Sequence, residues 1–172
     1  MPHLVAYVDG GSQGHPGLAG IGVLLEHEAG RRVAISEWLP AQDNNYAEYA
    51  ALRVALEYGA ACGCQSLHVF SDSEVVVRQI NGLYSCQSPA LRPIYEFCRA
   101  MIASFREFSI THIRREHNRE ANRLVQAAIR RAQRKGLEGG MAEAGAAEAA
   151  LDPGWRSEVS RAVQRAATVP EP

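Results

Sequence analysis

Long hydrophobic runs are missing from the 172-residue sequence, and none approaches the roughly 18 residues that a transmembrane helix requires. The opening segment, MPHLVAYVDGG, lacks the basic start and the long apolar stretch of a secretory signal. The hydrophobic fraction of 47% and the charged fraction of 22% are typical of a folded globular protein rather than a disordered one. We therefore expect a cytoplasmic protein that has no membrane partner.

Cysteine is also scarce, and its spacing does not match the common cysteine-based sites. Cys62 and Cys64 are separated by one residue, whereas zinc and redox motifs typically place two residues between their cysteines. Cys86 and Cys98 have no histidine–cysteine cluster around them in sequence that would complete a site. We predict that all four are reduced thiols with a structural role.

The net charge of −1 conceals a strongly basic segment late in the chain. Residues 114–135 contain eight Arg and Lys residues against two acidic residues, Glu116 and Glu120. Such an excess would suit a polyanionic partner. A basic helix face is more often simply solvated, so this feature alone leaves both interpretations open.

Hydrophobic periodicity and turn residues predict the element order β-β-β-α-β-α-α-β-α. Three leading strands with hairpin connections, followed by strands that alternate with helices, indicate an α/β fold with a mixed five-stranded sheet flanked by helices. A glycine-rich turn is predicted over residues 10–17, after the first strand. The predicted strands are residues 4–8, 20–28, 31–39, 67–71 and 108–114, and the predicted helices are residues 44–61, 74–81, 88–107 and 118–135.

Composition divides the chain into two parts. We predict a globular domain over residues 1–136 and a linker with a C-terminal tail over residues 137–172, because residues 139–150 are rich in Ala, Gly and Glu. Residues 153–167 could form one amphipathic helix with Trp155, Val159 and Val163 on a single face. That face could dock onto the domain or a partner, or the tail could be a disordered extension. Nothing in the sequence requires more than a monomer.

Three acidic residues occupy positions that suggest a shared site. Asp9 ends the first predicted strand, Asp72 ends the fourth, and Glu48 lies one turn inside the first long helix. Carboxylates that converge repel one another unless a cation lies among them, and such oxygen ligands favour Mg²⁺ or Mn²⁺ over zinc. Taken singly, each acid could instead have a turn or capping role.

Four motifs around these acids resemble those of ribonuclease HI. They are YVDGGS at residues 7–12, Asn44-Asn45 followed by Glu48, FSDS at residues 70–73, and REHNREANRL at residues 115–124. The match covers about residues 3–131 in the family's order and spacing. The middle helices are joined without a basic insert, which resembles the compact bacterial and archaeal-like subgroup.

The resemblance implies an endoribonuclease that cuts the RNA strand of RNA–DNA hybrids by hydrolysis with two metal ions, either Mg²⁺ or Mn²⁺. One ion would activate a water molecule and the other would stabilise the departing 3′ oxygen. The residues implied to be catalytic and to bind the ions are Asp9, Glu48, Asp72 and Asn122.

The same resemblance implies contacts with the RNA strand, whose 2′-hydroxyl groups distinguish it from DNA. The residues implied to bind substrate are Gly10, Gly11, Ser12, His15, Asn44, Asn45 and Glu74. A carboxamide can both donate to and accept from a hydroxyl, which suits Asn44 and Asn45, although helix capping is an alternative role for either. Double-stranded RNA is a second substrate candidate, because its minor groove also displays 2′-hydroxyls.

The sequence departs from the family pattern at Asn122, where the family usually has Asp. Three charged carboxylates instead of four would offset less of the repulsion between two divalent ions, so we predict a weakened second metal site. The protein could be an active enzyme with a higher metal requirement, or a hybrid- or double-stranded-RNA-binding module with weak or no cleavage. His117 could correspond to a histidine of longer-looped family members that assists product or proton departure, or be a surface residue.

Overall fold

The computed structural model describes residues 3–14, 17–136, 161 and 163–167. Up to residue 136, the described chain follows the predicted element order with one added 3-10 turn, and the predicted fold class is confirmed. The strands are β1 (His3–Ser12), β2 (Gly17–His27), β3 (Arg32–Gln42), β4 (Ser66–Ser71) and β5 (Glu107–His112). The helices are α1 (Asn44–Ala61), α2 (Glu74–Ile80), α3 (Arg92–Ile102) and α4 (Arg119–Arg134), and the 3-10 turn is Arg115–His117.

The five strands form one mixed sheet in the order β3-β2-β1-β4-β5. β1, β2 and β3 pair antiparallel, whereas β1, β4 and β5 run parallel. In the parallel pair, Val8 of β1 lies beside Ser71 of β4. This is the last pair between the two strands, so the residues that follow it, Asp9 within β1 and Asp72 after β4, are neighbours.

The predicted turn over residues 10–17 was wrong in its first half. Residues 10–12 continue β1 and pair with residues 19–21 of β2, so this segment is strand. The glycines serve close packing here rather than a turn. Gly10 faces the first turn of α1 and Gly11 faces Val125 of α4, so these two helices cover opposite faces of the sheet.

The third predicted helix was too long at both ends, because α3 spans Arg92–Ile102 rather than residues 88–107. Before it, the Leu91 and Arg92 N–H groups both donate to the Ser88 carbonyl in a turn, at 3.2 and 3.0 Å. After it, the Arg106 and Glu107 N–H groups donate to the Gln65 carbonyl, at 2.9 and 3.1 Å. Gln65 directly precedes β4, so these hydrogen bonds start the pairing of β5 with β4. The same N–H groups cannot also continue the hydrogen bonds of the helix.

The core lies mainly between the sheet and α1, with α3 on the far side of α1. Tyr49, Leu52, Leu56 and Tyr58 of α1 are fully buried, and the helix is apolar on several sides, as expected for a helix between two layers. The start of α1 is consequently fixed against β1, which determines where Glu48 is placed.

α4 packs on β2 and β3 across glycines that leave no room for side chains. A Cβ atom added at Gly22 would lie 2.2 Å from the Ala121 carbonyl oxygen, and one at Gly20 would lie 2.9 Å from that of Val125. The helix backbone can therefore approach the sheet closely, which brings its first turn beside Asp9.

Among the described residues, we find no helix with the length and apolarity needed to cross a membrane. The four cysteines are free thiols, and Cys64, Cys86 and Cys98 are buried. Burial raises the pKa of the Cys98 thiol to about 12, which keeps it protonated near neutral pH. These environments agree with the predicted structural role.

A short piece of the C-terminal tail contacts the core. Residues 163–167 are helical, and Val163 is 1% exposed within the main hydrophobic cluster. The Arg31 guanidinium donates to the Ala166 carbonyl at 2.9 Å, next to the β2–β3 turn. Trp155 and Val159, predicted to share a face with Val163, lie outside the described residues.

We expect Gly22→Ala to lower the free energy of unfolding by about 1–3 kcal/mol, because the new methyl group would overlap the Ala121 carbonyl and push α4 away. Urea denaturation of the full chain measures this change. Gly11→Ala is the matched control, since its Cβ would meet side chains rather than backbone, namely Val125 at 3.4 Å and Asn44 at 3.7 Å. Equal losses in both variants would contradict a backbone contact as the feature that fixes α4.

We expect Val163→Asp to lower the free energy of unfolding by about 2 kcal/mol or more, since it places a carboxylate in the apolar core. The neighbouring change Gln164→Asp introduces the same charge at an exposed position and is the control. Chemical denaturation of both variants tests whether the tail is part of the folded unit. If both are as stable as the unmodified chain, residues 163–167 contribute nothing to the core.

Candidate active site

Three carboxylates converge where β4 ends beside β1. One oxygen from each of Asp9, Glu48 and Asp72 lies within 4.8 Å of the others. The register of β1 and β4 places the two aspartates side by side, and the first turn of α1 brings the glutamate to them. The structure thus brings together the three acids that the sequence singled out.

Glu48 reaches the cluster because β1 has glycine where α1 passes over it. A Cβ atom at Gly10 would lie 2.2 Å from the Ala47 carbonyl carbon and 2.5 Å from the Glu48 nitrogen. Glu48 is 5% exposed, and burial, followed by the charges of Asp9 and Asp72, raises its pKa well above the usual value. Its Oε2 atom is buried without a hydrogen-bond partner among the described residues. This acceptor is available to a cation.

The carboxyl group of Asp72 also has a raised pKa. Burial and the neighbouring Asp9 raise the pKa of Asp72 to about 6, although Arg115 and the Asn118 side chain act in the opposite direction. A carboxyl with this pKa is partly protonated near neutral pH unless positive charge is added. Without a cation, the cluster therefore carries a smaller negative charge than three ionised carboxylates would give. A bound cation would favour the ionised form of Asp72.

Asn122 also lies in the cluster, at the first turn of α4. Its Nδ2 atom donates to Oδ2 of Asp9 at 3.0 Å, so the amide nitrogen rather than the carbonyl oxygen faces the carboxylate. The predicted ligand atom of Asn122, its side-chain oxygen, is directed elsewhere in this arrangement. A rotation of the amide about its last side-chain bond would exchange the two atoms.

Asn118 fixes the start of α4 relative to β1. It is 2% exposed, and its Nδ2 atom donates to the Val8 carbonyl at 2.9 Å, one residue before Asp9. This hydrogen bond ties the turn before α4 to the strand that carries the central carboxylate. Asn118 is therefore a positioning residue of the site.

The carboxylates open into a cleft of about 320 Å³ between the starts of α1 and α2 and one side of α4. Four predicted substrate-binding residues line it, namely Gly10, Gly11, Ser12 and Asn44. The cleft is also lined by Asp9, Gln13, Glu48, Asp72, Ser73, Arg115, Asn122, Val125, Gln126 and Ile129.

The remaining predicted contacts are not brought into this cleft. Asn45 is exposed and absent from the cleft wall, and Glu74 forms an ion pair with Arg78 at 2.7 Å on the surface of α2. His15 lies outside the described residues. His117 is exposed and lines a separate depression of about 280 Å³ under the start of α4.

Two residues of this region, Arg115 and Asn118, were not among the site residues predicted from the sequence. Arg115 lies three residues after the end of β5, which is parallel to β4, so the rule that parallel strands end at one edge could have identified it. Its charge lowers the pKa of Asp72, and it lines the cleft. Asn118 carried only the signal of an Asn before a helix, which usually indicates a cap rather than a long-range contact.

The donor set fits a hard divalent cation. Three carboxylates with one unpartnered buried oxygen favour Mg²⁺ or Mn²⁺, which prefer oxygen ligands. Opposite ligands of Mg²⁺ lie about 4.2 Å apart, close to the observed spread of the three carboxylates. The donor atoms present therefore fit such an ion.

Comparison with known families matches this architecture. The family described as reverse transcriptase-like matches residues 7–128, a region that contains the three carboxylates and Asn118 and Asn122. The chain belongs to this family. The predicted resemblance to ribonuclease H is also confirmed, because the similar proteins include ribonuclease HI and RNase H domains.

Two curated relatives illustrate the family in sequence. Ribonuclease HI of Halobacterium salinarum is 35% identical over 125 residues, which is 72% of this chain and 63% of that protein. The bifunctional protein Rv2228c of Mycobacterium tuberculosis is 31% identical over 156 residues, which is 88% of this chain and 43% of that protein. The chain thus spans less than two thirds of the length of either relative.

Solved structures share the fold over nearly their whole length. The N-terminal RNase H domain of Rv2228c superposes with a TM-score of 0.75 at 28% identity, covering 79% of this chain and 99% of that one. RNase H1 of Halobacterium salinarum gives 0.72 at 34% identity, with coverages of 76% and 99%. LC11-RNase H1, solved in complex with an RNA/DNA hybrid, gives 0.71 at 34% identity with the same coverages.

We expect Mn²⁺ or Mg²⁺ to raise the Tm of the chain relative to EDTA, because the cation relieves carboxylate repulsion. A cation at 100 times its Kd stabilises by about 2.7 kcal/mol. Glu48→Gln should lose most of this shift, and Glu74→Gln, which removes an exposed surface charge, should retain it. Calorimetry with each cation provides the measurement. The same shift in the Glu48→Gln variant as in the unmodified chain would exclude the carboxylate cluster as the cation site.

Proposed function

We propose that this chain is a metal-dependent endoribonuclease that cuts the RNA strand of RNA–DNA hybrids. The observation that supports this most directly is the convergence of Asp9, Glu48 and Asp72 within 4.8 Å at the base of an open cleft. The similar LC11-RNase H1 has been solved with an RNA/DNA hybrid, which supports the same substrate class here. We further propose that the chain acts as a monomer in the cytoplasm.

The catalytic roles follow from the chemistry of the cluster. Asp9, Glu48 and Asp72 would hold two Mg²⁺ or Mn²⁺ ions, with the side-chain oxygen of Asn122 as a fourth, uncharged ligand. When bound, the ions would supply the positive charge that activates water and stabilises the departing 3′ oxygen. The contact of Gly10 with α1 holds Glu48 in place, so the ligand set is preorganised before substrate arrives.

Recognition of the RNA strand would come from the part of the cleft formed by the end of β1 and the start of α1. Gly10, Gly11, Ser12 and Asn44 line the cleft next to the carboxylates, where backbone amides and a carboxamide can pair with 2′-hydroxyl groups. DNA lacks these hydroxyls, so the wall would select a ribose-bearing strand. Contacts from Asn45, His15 and Glu74 stay predictions from the sequence.

A second candidate is a module that binds hybrids or double-stranded RNA and cuts them weakly or not at all. The hydrogen bond from Asn122 Nδ2 to Asp9 supports it, because this donor occupies an oxygen of the central carboxylate. A cation that uses the same oxygen must displace the amide. We favour the enzyme, because the three charged acids and the unpartnered Glu48 oxygen are present.

Hybrid cleavage under Mg²⁺ and Mn²⁺ titration tests these candidates. We expect the unmodified chain to cut, and Asn122→Asp to lower the metal concentration needed for half-maximal rate by roughly tenfold, since it adds a charge next to Asp9. Asp72→Asn should be inert and serves as the control for contaminating nucleases. If the unmodified chain is inert at every concentration while Asn122→Asp cuts, the binding module is the correct function.

Substrate choice is measured in the same assay with double-stranded RNA and duplex DNA of the same sequence. We expect the hybrid to be cut and the DNA duplex to be resistant. Cleavage of duplex DNA at a comparable rate would contradict recognition through ribose hydroxyls. Faster cleavage of double-stranded RNA than of hybrid would replace the proposed substrate with the second candidate from the sequence.

A further inference from the structure

A second depression adjoins the catalytic cleft and is dominated by arginine. It measures about 370 Å³ and is lined by Arg115, Glu116, Arg119, Asn122 and Arg123. Arg115 and Asn122 also line the cleft, so the two cavities share a wall. A strand that leaves the carboxylates on the side of α4 would enter this depression, which we call the arginine depression.

The arginines of this depression are available for a ligand. Arg119 and Arg123 are exposed, and neither has an ion pair or a side-chain hydrogen bond with any residue that the structure describes. In contrast, Arg53, Arg78 and Arg92 each pair with a glutamate four residues later or earlier on their own helix. The lining of the arginine depression contains three arginines and one acid, Glu116, so its net charge is +2.

The spacing of these side chains matches a linear anion. Arg119 and Arg123 are four residues apart on α4, so they share a face and lie about 6 Å apart along the helix axis. Arg115 precedes them in the 3-10 turn and adds a third guanidinium between them and the carboxylates. Guanidinium groups bind phosphates in bidentate fashion, and a row of them suits successive phosphates of one strand.

We propose that Arg115, Arg119 and Arg123 bind the sugar–phosphate backbone of a strand as it leaves the catalytic cleft. This inference rests on the proposed function, since it assigns a second contact surface for the same nucleic acid. The charge placement supports it: the carboxylates repel phosphates, and the arginine depression supplies attraction immediately beside them. Without such a surface, the substrate would have to be held only by the wall of Gly11, Ser12 and Asn44.

The test compares two double variants on the same helix. Arg119→Gln with Arg123→Gln removes charge from the arginine depression, and Arg130→Gln with Arg134→Gln removes the same charge from exposed positions of α4 outside it. Binding of a labelled hybrid is measured in EDTA, where it stays intact, from 50 to 300 mM salt. We expect the first pair to weaken binding roughly tenfold and to lower the slope of log K against log salt by about 2, and the second pair to do neither.

Hybrids with neutral methylphosphonate linkages in either the RNA or the DNA strand then locate the contact. Neutralising the strand that occupies the arginine depression should weaken binding of the unmodified chain but have little further effect on the Arg119→Gln, Arg123→Gln variant. Steady-state kinetics should show the loss in KM, with kcat changed less than about twofold.

The outcomes separate the two proposals. Equal losses in both double variants would show that only the overall charge of α4 matters, and would overturn the arginine depression as a site. If the unmodified chain binds hybrid but does not cut it, the nuclease proposal fails while the comparison of the double variants still decides this one. No binding of hybrid by the unmodified chain at any salt concentration in EDTA would overturn the arginine depression as a site, while the metal titration would still decide the nuclease proposal.

Discussion

The parallel pairing of β1 with β4 is the constraint on which the site depends. It fixes Val8 beside Ser71, so Asp9 and Asp72 are neighbours that cannot separate without loss of sheet hydrogen bonds. The fold thereby holds like charges together in a buried position, and burial, followed by this repulsion, raises the pKa values of Glu48 and Asp72, which is a form of electrostatic strain. Strain of this kind is common at functional sites, where a ligand supplies the missing compensation.

Close backbone contacts place Glu48 and Asn122 beside Asp9 from opposite faces of the sheet. Gly10 lets α1 bring Glu48 from one side, and Gly22 lets α4 bring Asn122 from the other. The Asn118 hydrogen bond to the Val8 carbonyl then joins α4 to the strand of the central carboxylate. The geometry of the cluster is thus set by contacts with rigid backbone rather than by flexible side chains.

Much of this arrangement could be predicted from the sequence, because strand ends and helix periods are local signals. The bounds of α1 and the placement of Asp72 after β4 followed from pattern alone, and the family motifs supplied the grouping with Asn122. The continuation of β1 through Gly11 and the early end of α3 depend on pairing with distant strands, which composition does not encode. The same limit explains why Asn118 had no assigned role, since its partner Val8 is distant in sequence.

Val163 contributes to the hydrophobic core at a position far from the carboxylate cluster. Its segment lies by the β2–β3 turn, where Arg31 contacts Ala166 and where His27 pairs with Leu4 at the start of β1. Leu4 and Asp9 are five residues apart on an extended strand, a span of about 17 Å. Perturbations this far apart are generally additive. Substitutions in residues 163–167 can therefore change the free energy of unfolding while the geometry of the three carboxylates stays the same.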